Sequence, residues 1–191
     1  MSGVPQYGTC YIQYTSDLTE VKLQVNRVKR AIASMAKSHW LTVHQNIVQK
    51  DSKLDLFCKL KSEFGMSPYL SSPIPSKSKI AISKFRLSSH NLPVETMRYL
   101  GLQRYQRLCP FCSTGVGNEI HYFTECDHPF FTKLRANFRS SLKSSDLVDV
   151  NRCKSEEMIS FLNSPDPKIL KPLGTFVFSI MEFFKELNTV G

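Results

Sequence analysis

The sequence predicts a mainly α protein, a small and irregular helical domain, and three observations carry that expectation. Apolar residues recur at steps of three and four along several stretches, the spacing that places side chains on one face of a helix. Glycine and proline stand where those stretches stop, at Gly65, Pro68, Pro165 and Pro167. No alternating run suited to a strand extends beyond a few residues, residues 10–14 being the best candidate.

Residues 1–16 are polar and aromatic, and read as a flexible lead-in. Asp17, with Glu20 three residues on, forms a capping pair that starts a helix. Val21, Val25, Val28, Ile32 and Met35 then share one face, suited to packing on a core. Lys22, Asn26, Lys29 and Arg30 lie outside that stripe, on a solvated basic side. A second helix follows Ser52, with Leu54, Phe57, Leu60 and Phe64 along it and Gly65 as its stop, closing an N-terminal helical segment 17–66. Residues 67–76 hold three prolines and four serines, a composition that predicts a linker. Segment 77–142 is basic and contains the cysteine cluster described below. Near its end Phe130, Leu134, Phe138 and Leu142 lie four apart, predicting an amphipathic helix flanked by Lys133, Arg135 and Arg139. The remainder, 143–191, reads as C-terminal helices near 155–163 and 168–187, divided by Pro165 and Pro167.

The composition of these 191 residues, 41% hydrophobic and 21% charged, is that of a packed protein rather than a disordered one. The imbalance is one of sign: 25 Lys and Arg against 16 Asp and Glu leave a net charge of +9. Such a surplus favours a polyanionic partner, because each neutralised phosphate releases condensed counterions. Neither a secretory leader nor an apolar stretch long enough to span a membrane is visible. The expected setting is therefore intracellular, the nucleus ahead of the cytoplasm. There thiols stay reduced, and clustered cysteines point to metal rather than to disulfides.

That cluster is Cys109, Cys112, His121 and Cys126, spaced C-x2-C-x8-H-x4-C. Three thiolates and one imidazole form a closed tetrahedral set for Zn2+, structural rather than catalytic, inserted as a knuckle between helices. Gly115 and Gly117 are expected to supply the permissive backbone that folds the chain back. Asn118 is placed to cap a short helix presenting His121. His128, two residues after Cys126, competes for the ligand role of either Cys126 or His121; His121 is preferred because a helix would fix its distance from Cys126. Cys10, Cys58 and Cys153 have no partner at ligand spacing and read as core thiols.

These residues, with Phe85, Arg86, His90, Glu95 and Arg98 ahead of the knuckle, Arg107 at its edge and Arg135 beyond, carry a resemblance. Taken with Lys61, Glu63, Phe64, Tyr69 and Leu70 upstream, the stretch from about residue 45 to 140 resembles the C-terminal tail of non-LTR (LINE-type) retrotransposon reverse transcriptase polyproteins. Those tails carry a Cys-Cys-His-Cys knuckle. The resemblance implies zinc on Cys109, Cys112, His121 and Cys126, and a role in gripping template RNA or target DNA during target-primed reverse transcription. The polymerase's paired aspartates are missing here, since the chain contains no Asp-Asp dipeptide, so that activity is not implied.

The resulting expectation is a nucleic-acid-binding module, for RNA or DNA. Lys84, Arg86, His90, Arg98, Arg104, Arg107, Lys133, Arg135 and Arg139 are its candidate contacts. Phe111, Tyr122 and Phe123 are candidates for stacking on unpaired bases, with packing around the metal the favoured role for Phe123. The alternative is a zinc-stabilised protein-interaction scaffold, its partner surface on the C-terminal helix. No enzyme is expected. There is no Gly-rich phosphate loop, nucleophile elbow or His-Glu-x-x-His run, and Phe123 stands where a zinc deaminase needs Glu.

Overall fold

A computed structural model describes residues 17–48, 53–142 and 154–189. The lead-in 1–16, the candidate strand at 10–14, Cys10 and Cys153 lie outside the described residues. Those described are mainly helical with no β-strand among them; a single bridge pairs Leu108 with Val116. The chain divides into two compact units, Met1–Asn46 and Ile47–Gly191.

In the first unit α1 (Leu18–Val48) begins where the capping pair predicts, the Thr19 amide donating to Asp17 Oδ1 at 2.8 Å. Its apolar stripe differs from expectation. Val21, Val25, Ile32 and Met35 are 38%, 44%, 61% and 53% exposed. No other described element belongs to this unit, so the stripe has no core within it to join.

The second unit contains α2 (Asp55–Leu60), α3 (Pro68–Ser71), α4 (Ser76–Arg86), α5 (Pro93–Thr96), α6 (Pro129–Ser141), α7 (Lys154–Asn163) and α8 (Pro167–Thr189). The amphipathic α8 forms its spine, burying Leu170, Leu173, Phe176, Val177, Ile180 and Phe184. Full burial of one such side chain is worth about 1.5–3 kcal/mol. The Phe-rich C-terminal run, a candidate partner helix more simply read as core, does supply core residues. α4 lies along α8 and contributes Ala81, Ile82 and Phe85, while α6 and α7 contribute Phe131, Phe138, Met158, Phe161 and Leu162. Gly174 permits the α4–α8 approach: a Cβ there would stand 2.4 Å from Ser78 Cβ.

The run 67–76, expected as a linker, is folded into this unit. Tyr69 and Ile74 are buried, and the Tyr69 hydroxyl hydrogen-bonds Ser83 Oγ at 2.8 Å. Its prolines read as breakers, yet Pro68 opens α3 and Pro75 precedes α4, where a missing N–H costs little. Conversely α2 stops at Leu60, before the predicted end at Gly65, and leaves Phe64 42% exposed. Cys58, expected as a core thiol, is half-buried.

Candidate metal centre

The chain approaches the centre from α5 through two 3₁₀ turns, Met97–Leu100 and Arg104–Gln106. Cys109 and Cys112 then occupy one tight turn, closed by the Ser113 amide on the Cys109 carbonyl at 2.9 Å. The Cys109 amide reaches the Gly115 carbonyl at 2.8 Å, and the Gly117 amide the Arg107 carbonyl at 2.9 Å, so the turn is stitched on both sides. The left-handed residue is Ser113, at φ 55°, and neither Gly115 nor Gly117 has positive φ. What these glycines provide is space. A Cβ on Gly115 would lie 3.2 Å from His121 Nδ1, and one on Gly117 would lie 2.8 Å from Pro93 Cβ and 2.9 Å from Tyr122 Oη.

Asn118 behaves as the spacing predicts, its Oδ1 accepting from the His121 amide at 2.9 Å. The helical turn it caps becomes a π turn over His121–Glu125, and Cys126 follows at its end, its amide bonded to the His121 carbonyl at 2.8 Å. The four ligand atoms converge to within 4.8 Å of one another. Cys109 Sγ and Cys126 Sγ are 3.8 Å apart, and Cys112 Sγ and His121 Nε2 are 3.3 Å apart. Cys109, Cys126 and His121 are buried, with Cys112 half-exposed. This group can hold a metal ion.

The surroundings orient the ligands. Glu125 Oε2 stands 3.4 Å from His121 Nδ1, turning Nε2 toward the sulfurs, an outer-shell arrangement common at metal-bound histidines. Burial pushes the Cys126 thiol up to about 12, so a metal ion that binds there must displace a proton. Burial also opposes ionisation of Cys112, but hydrogen bonds led by the Thr114 hydroxyl, 3.1 Å from its sulfur, hold that thiol below its usual range. His128 is not part of the group. Its Nδ1 caps α6 by accepting from the Phe130 amide, and its ring lies 4.6 Å from that of Phe111.

Phe111, Phe131, Phe183, Phe184 and Tyr122 form an aromatic bed that seats the knuckle on α6 and α8, with Tyr122–Phe184 centroids 4.7 Å apart. Phe123 packs between Phe138, Phe161 and Phe176. Phe123 is buried in the core, as its favoured packing role has it, whereas Tyr122, also buried, and Phe111, packed against the core, are not open for stacking on bases.

Four of the nine expected nucleic-acid contacts turn inward. Arg86 is buried and donates to the Leu162 carbonyl at 2.6 Å and Asn163 Oδ1 at 3.0 Å, closing the C-terminal end of α7. The His90 side chain is buried with Glu119, Nε2 to Oε1 at 2.9 Å; the Ser88 hydroxyl donates to the same oxygen at 2.5 Å. Burial pushes the Glu119 carboxyl up, and the bonds from His90 and Ser88 outweigh it, leaving Glu119 below the usual carboxylate range. Arg107 donates to the Leu102 and Val94 carbonyls, each at 2.9 Å. Arg135 donates to the carbonyls of Tyr122 and Cys126, bracing the π turn from α6. The other five lie at the surface to differing degrees. Lys84, Arg98 and Lys133 are exposed, Arg104 is half-exposed, and Arg139 pairs with Glu157 at 3.1 Å. Lys84 also joins Lys77 and Lys185 in a cleft of about 340 Å³ between α4 and α8.

Among the described residues no helix is long and apolar enough to cross a membrane. Comparison with protein-family models, curated proteins and solved structures finds no match to this chain.

Proposed function

We propose that the protein is a zinc-stabilised nucleic-acid-binding module of the kind that its sequence resembles, the C-terminal tail of a retrotransposon reverse transcriptase. The observation that carries this reading is the Cys109, Cys112, His121, Cys126 group. Four ligands about 2.3 Å from a tetrahedral ion stand about 3.8 Å apart, the separation of the Cys109 and Cys126 sulfurs. Soft thiolates with one imidazole select Zn2+ over Mg2+ or Ca2+. Four protein ligands leave no open position for a substrate, so the metal acts as a staple and no catalysis is assigned to it. Reduced thiolates of this kind belong to an intracellular compartment, and a nucleic-acid role favours the nucleus.

Binding is supported by the charge of +9 and by the lysines that remain outward, including Lys84 and Lys133. The decisive experiment pairs the metal content of purified wild-type protein and Cys112→Ser with affinity for RNA and DNA oligonucleotides across a salt series. One zinc per wild-type chain, lost in the variant, together with affinity that falls steeply with salt, supports the reading. A chain without stoichiometric zinc refutes the staple. Zinc without nucleic-acid affinity at low salt leaves the protein-interaction scaffold instead.

A further inference from the structure

We infer that the loop 97–108 is a stacking platform for the unpaired bases of a single-stranded nucleic acid, with Tyr99 and Tyr105 as its stacking side chains. This rests on the nucleic-acid reading above and names where that reading acts. Tyr99 is 82% exposed and Tyr105 is 71% exposed, in a unit whose other described tyrosines, Tyr69 and Tyr122, are buried. Leu100 and Leu108 beside them are 73% and 41% exposed. Four large apolar side chains left outward in twelve residues are not needed by the core, which is complete without them.

The loop is nonetheless held in shape. The Arg98 carbonyl accepts from the Gly101 amide at 3.1 Å, and the Gln103 amide donates to Gln106 Oε1 at 2.9 Å. The inward-turned Arg107 ties Leu102 to Val94, and the bridge of Leu108 with Val116 fastens the loop to the knuckle. These bonds fix the course of the loop backbone before a ligand arrives, which lowers the entropic cost of binding.

Charge selects the kind of ligand. Residues 97–108 contain no Asp or Glu, and of their three arginines Arg98 is exposed and Arg104 half-exposed, Arg107 being the one turned inward. Arg98 lies 5.4 Å from the Tyr99 ring centroid, and its nearest carboxylate, Glu95 at 3.9 Å, is itself buried. Open aromatic faces interleaved with guanidinium groups suit a strand whose bases stack while its phosphates meet arginine. A duplex hides its base faces and gains nothing from Tyr99 or Tyr105. The metal staple then has a second consequence, which is to hold the far end of this platform.

The test uses the full chain loaded with zinc, with oligo-U and oligo-dT of equal length as single strands and a mixed-sequence duplex as control. Tyr99→Ala and Tyr105→Ala are each expected to weaken single-strand binding by about 5- to 100-fold. Metal content and the slope of affinity against salt should stay unchanged, and Tyr→Phe at either position should retain affinity. Loss with either single strand supports the platform, and the strand bound more tightly by wild type identifies the sugar. Alanine variants that bind single strands within about two-fold of wild type overturn the platform while the wider reading stands. Equal losses on the duplex also overturn it. A wild-type protein that binds neither strand at low salt overturns the platform, and one that binds neither the strands nor the duplex removes the nucleic-acid reading itself.

Discussion

Replacing Arg135 by Met separates a brace from a phosphate contact. The side chain leaves α6 and donates to two backbone carbonyls, those of Tyr122 and Cys126, at either end of the π turn that presents His121. Met keeps most of the apolar stem and removes both donors. A buried acceptor left without its donor costs about 1–3 kcal/mol. Arg135 is half-exposed, so water recovers part of that, and about 2–3 kcal/mol is expected for the pair. For a domain of this size that lowers Tm by about 5–10 °C. Zinc affinity is expected to fall about 10- to 100-fold, as at other sites that lose an orienting outer-shell group. Calorimetry and competition with a chromogenic chelator measure the two effects. The reasoning is refuted if both stay at wild-type values while the salt dependence of nucleic-acid binding drops by about one phosphate contact.

His121→Ala is expected to abolish stoichiometric metal binding, whereas His128→Ala keeps one ion per chain and loses about 1 kcal/mol of stability with its helix cap; metal analysis beside urea denaturation distinguishes them. Gly117→Ala is expected to cost about 1–3 kcal/mol of unfolding free energy in a urea titration, because its Cβ meets Pro93 and Tyr122. Burial raises the Glu95 carboxyl above its usual range, with Arg98 and Lys53 opposing, and leaves Oε1 without a hydrogen bond. A carboxyl raised in the folded state destabilises above its folded pKa, and that penalty fades as pH falls through the unfolded value near 4.3. Glu95→Gln is therefore expected to gain about 1 kcal/mol at pH 7 and nothing at pH 3, as followed by thermal melts across that range.

The four candidate ligands were legible in the sequence because they fall within one short segment, where spacing alone constrains geometry. The helices from residue 129 onward were legible for the same kind of reason, since Phe138 and Leu142 repeat on one face. What spacing could not reveal was which cations face water. Arg86 looks like any basic residue until α7 arrives 76 positions later to take its guanidinium. Likewise His90 becomes a buried partner only when Glu119 folds over it. The aromatics misled in a related way. Phe111 and Tyr122 flank candidate ligands and were candidates for stacking, yet the turn that holds those ligands draws them, like Phe123, toward the core. Tyr99 and Tyr105 lie where apolar periodicity lapses, and such a lapse is the one sequence signal that a large side chain has no core position to fill. The α1 stripe shows the converse, a regular pattern that its own unit does not bury.

The clasp of Ser88, His90 and Glu119 limits how this chain can be divided. Its hydrogen bonds join the loop after α4 to the ligand turn across 31 and 29 residues, and Arg135 closes the same turn from the other side. A peptide cut to the ligands and their immediate flanks would lose both, exposing Glu119 and the Cys126 carbonyl to competing water. The smallest piece able to keep the four candidate ligands in this geometry therefore starts ahead of Ser88 and extends past Arg135. Grafting the knuckle onto another scaffold would require carrying the loop after α4 and α6 with it, which makes this centre a keystone of its domain rather than a detachable finger.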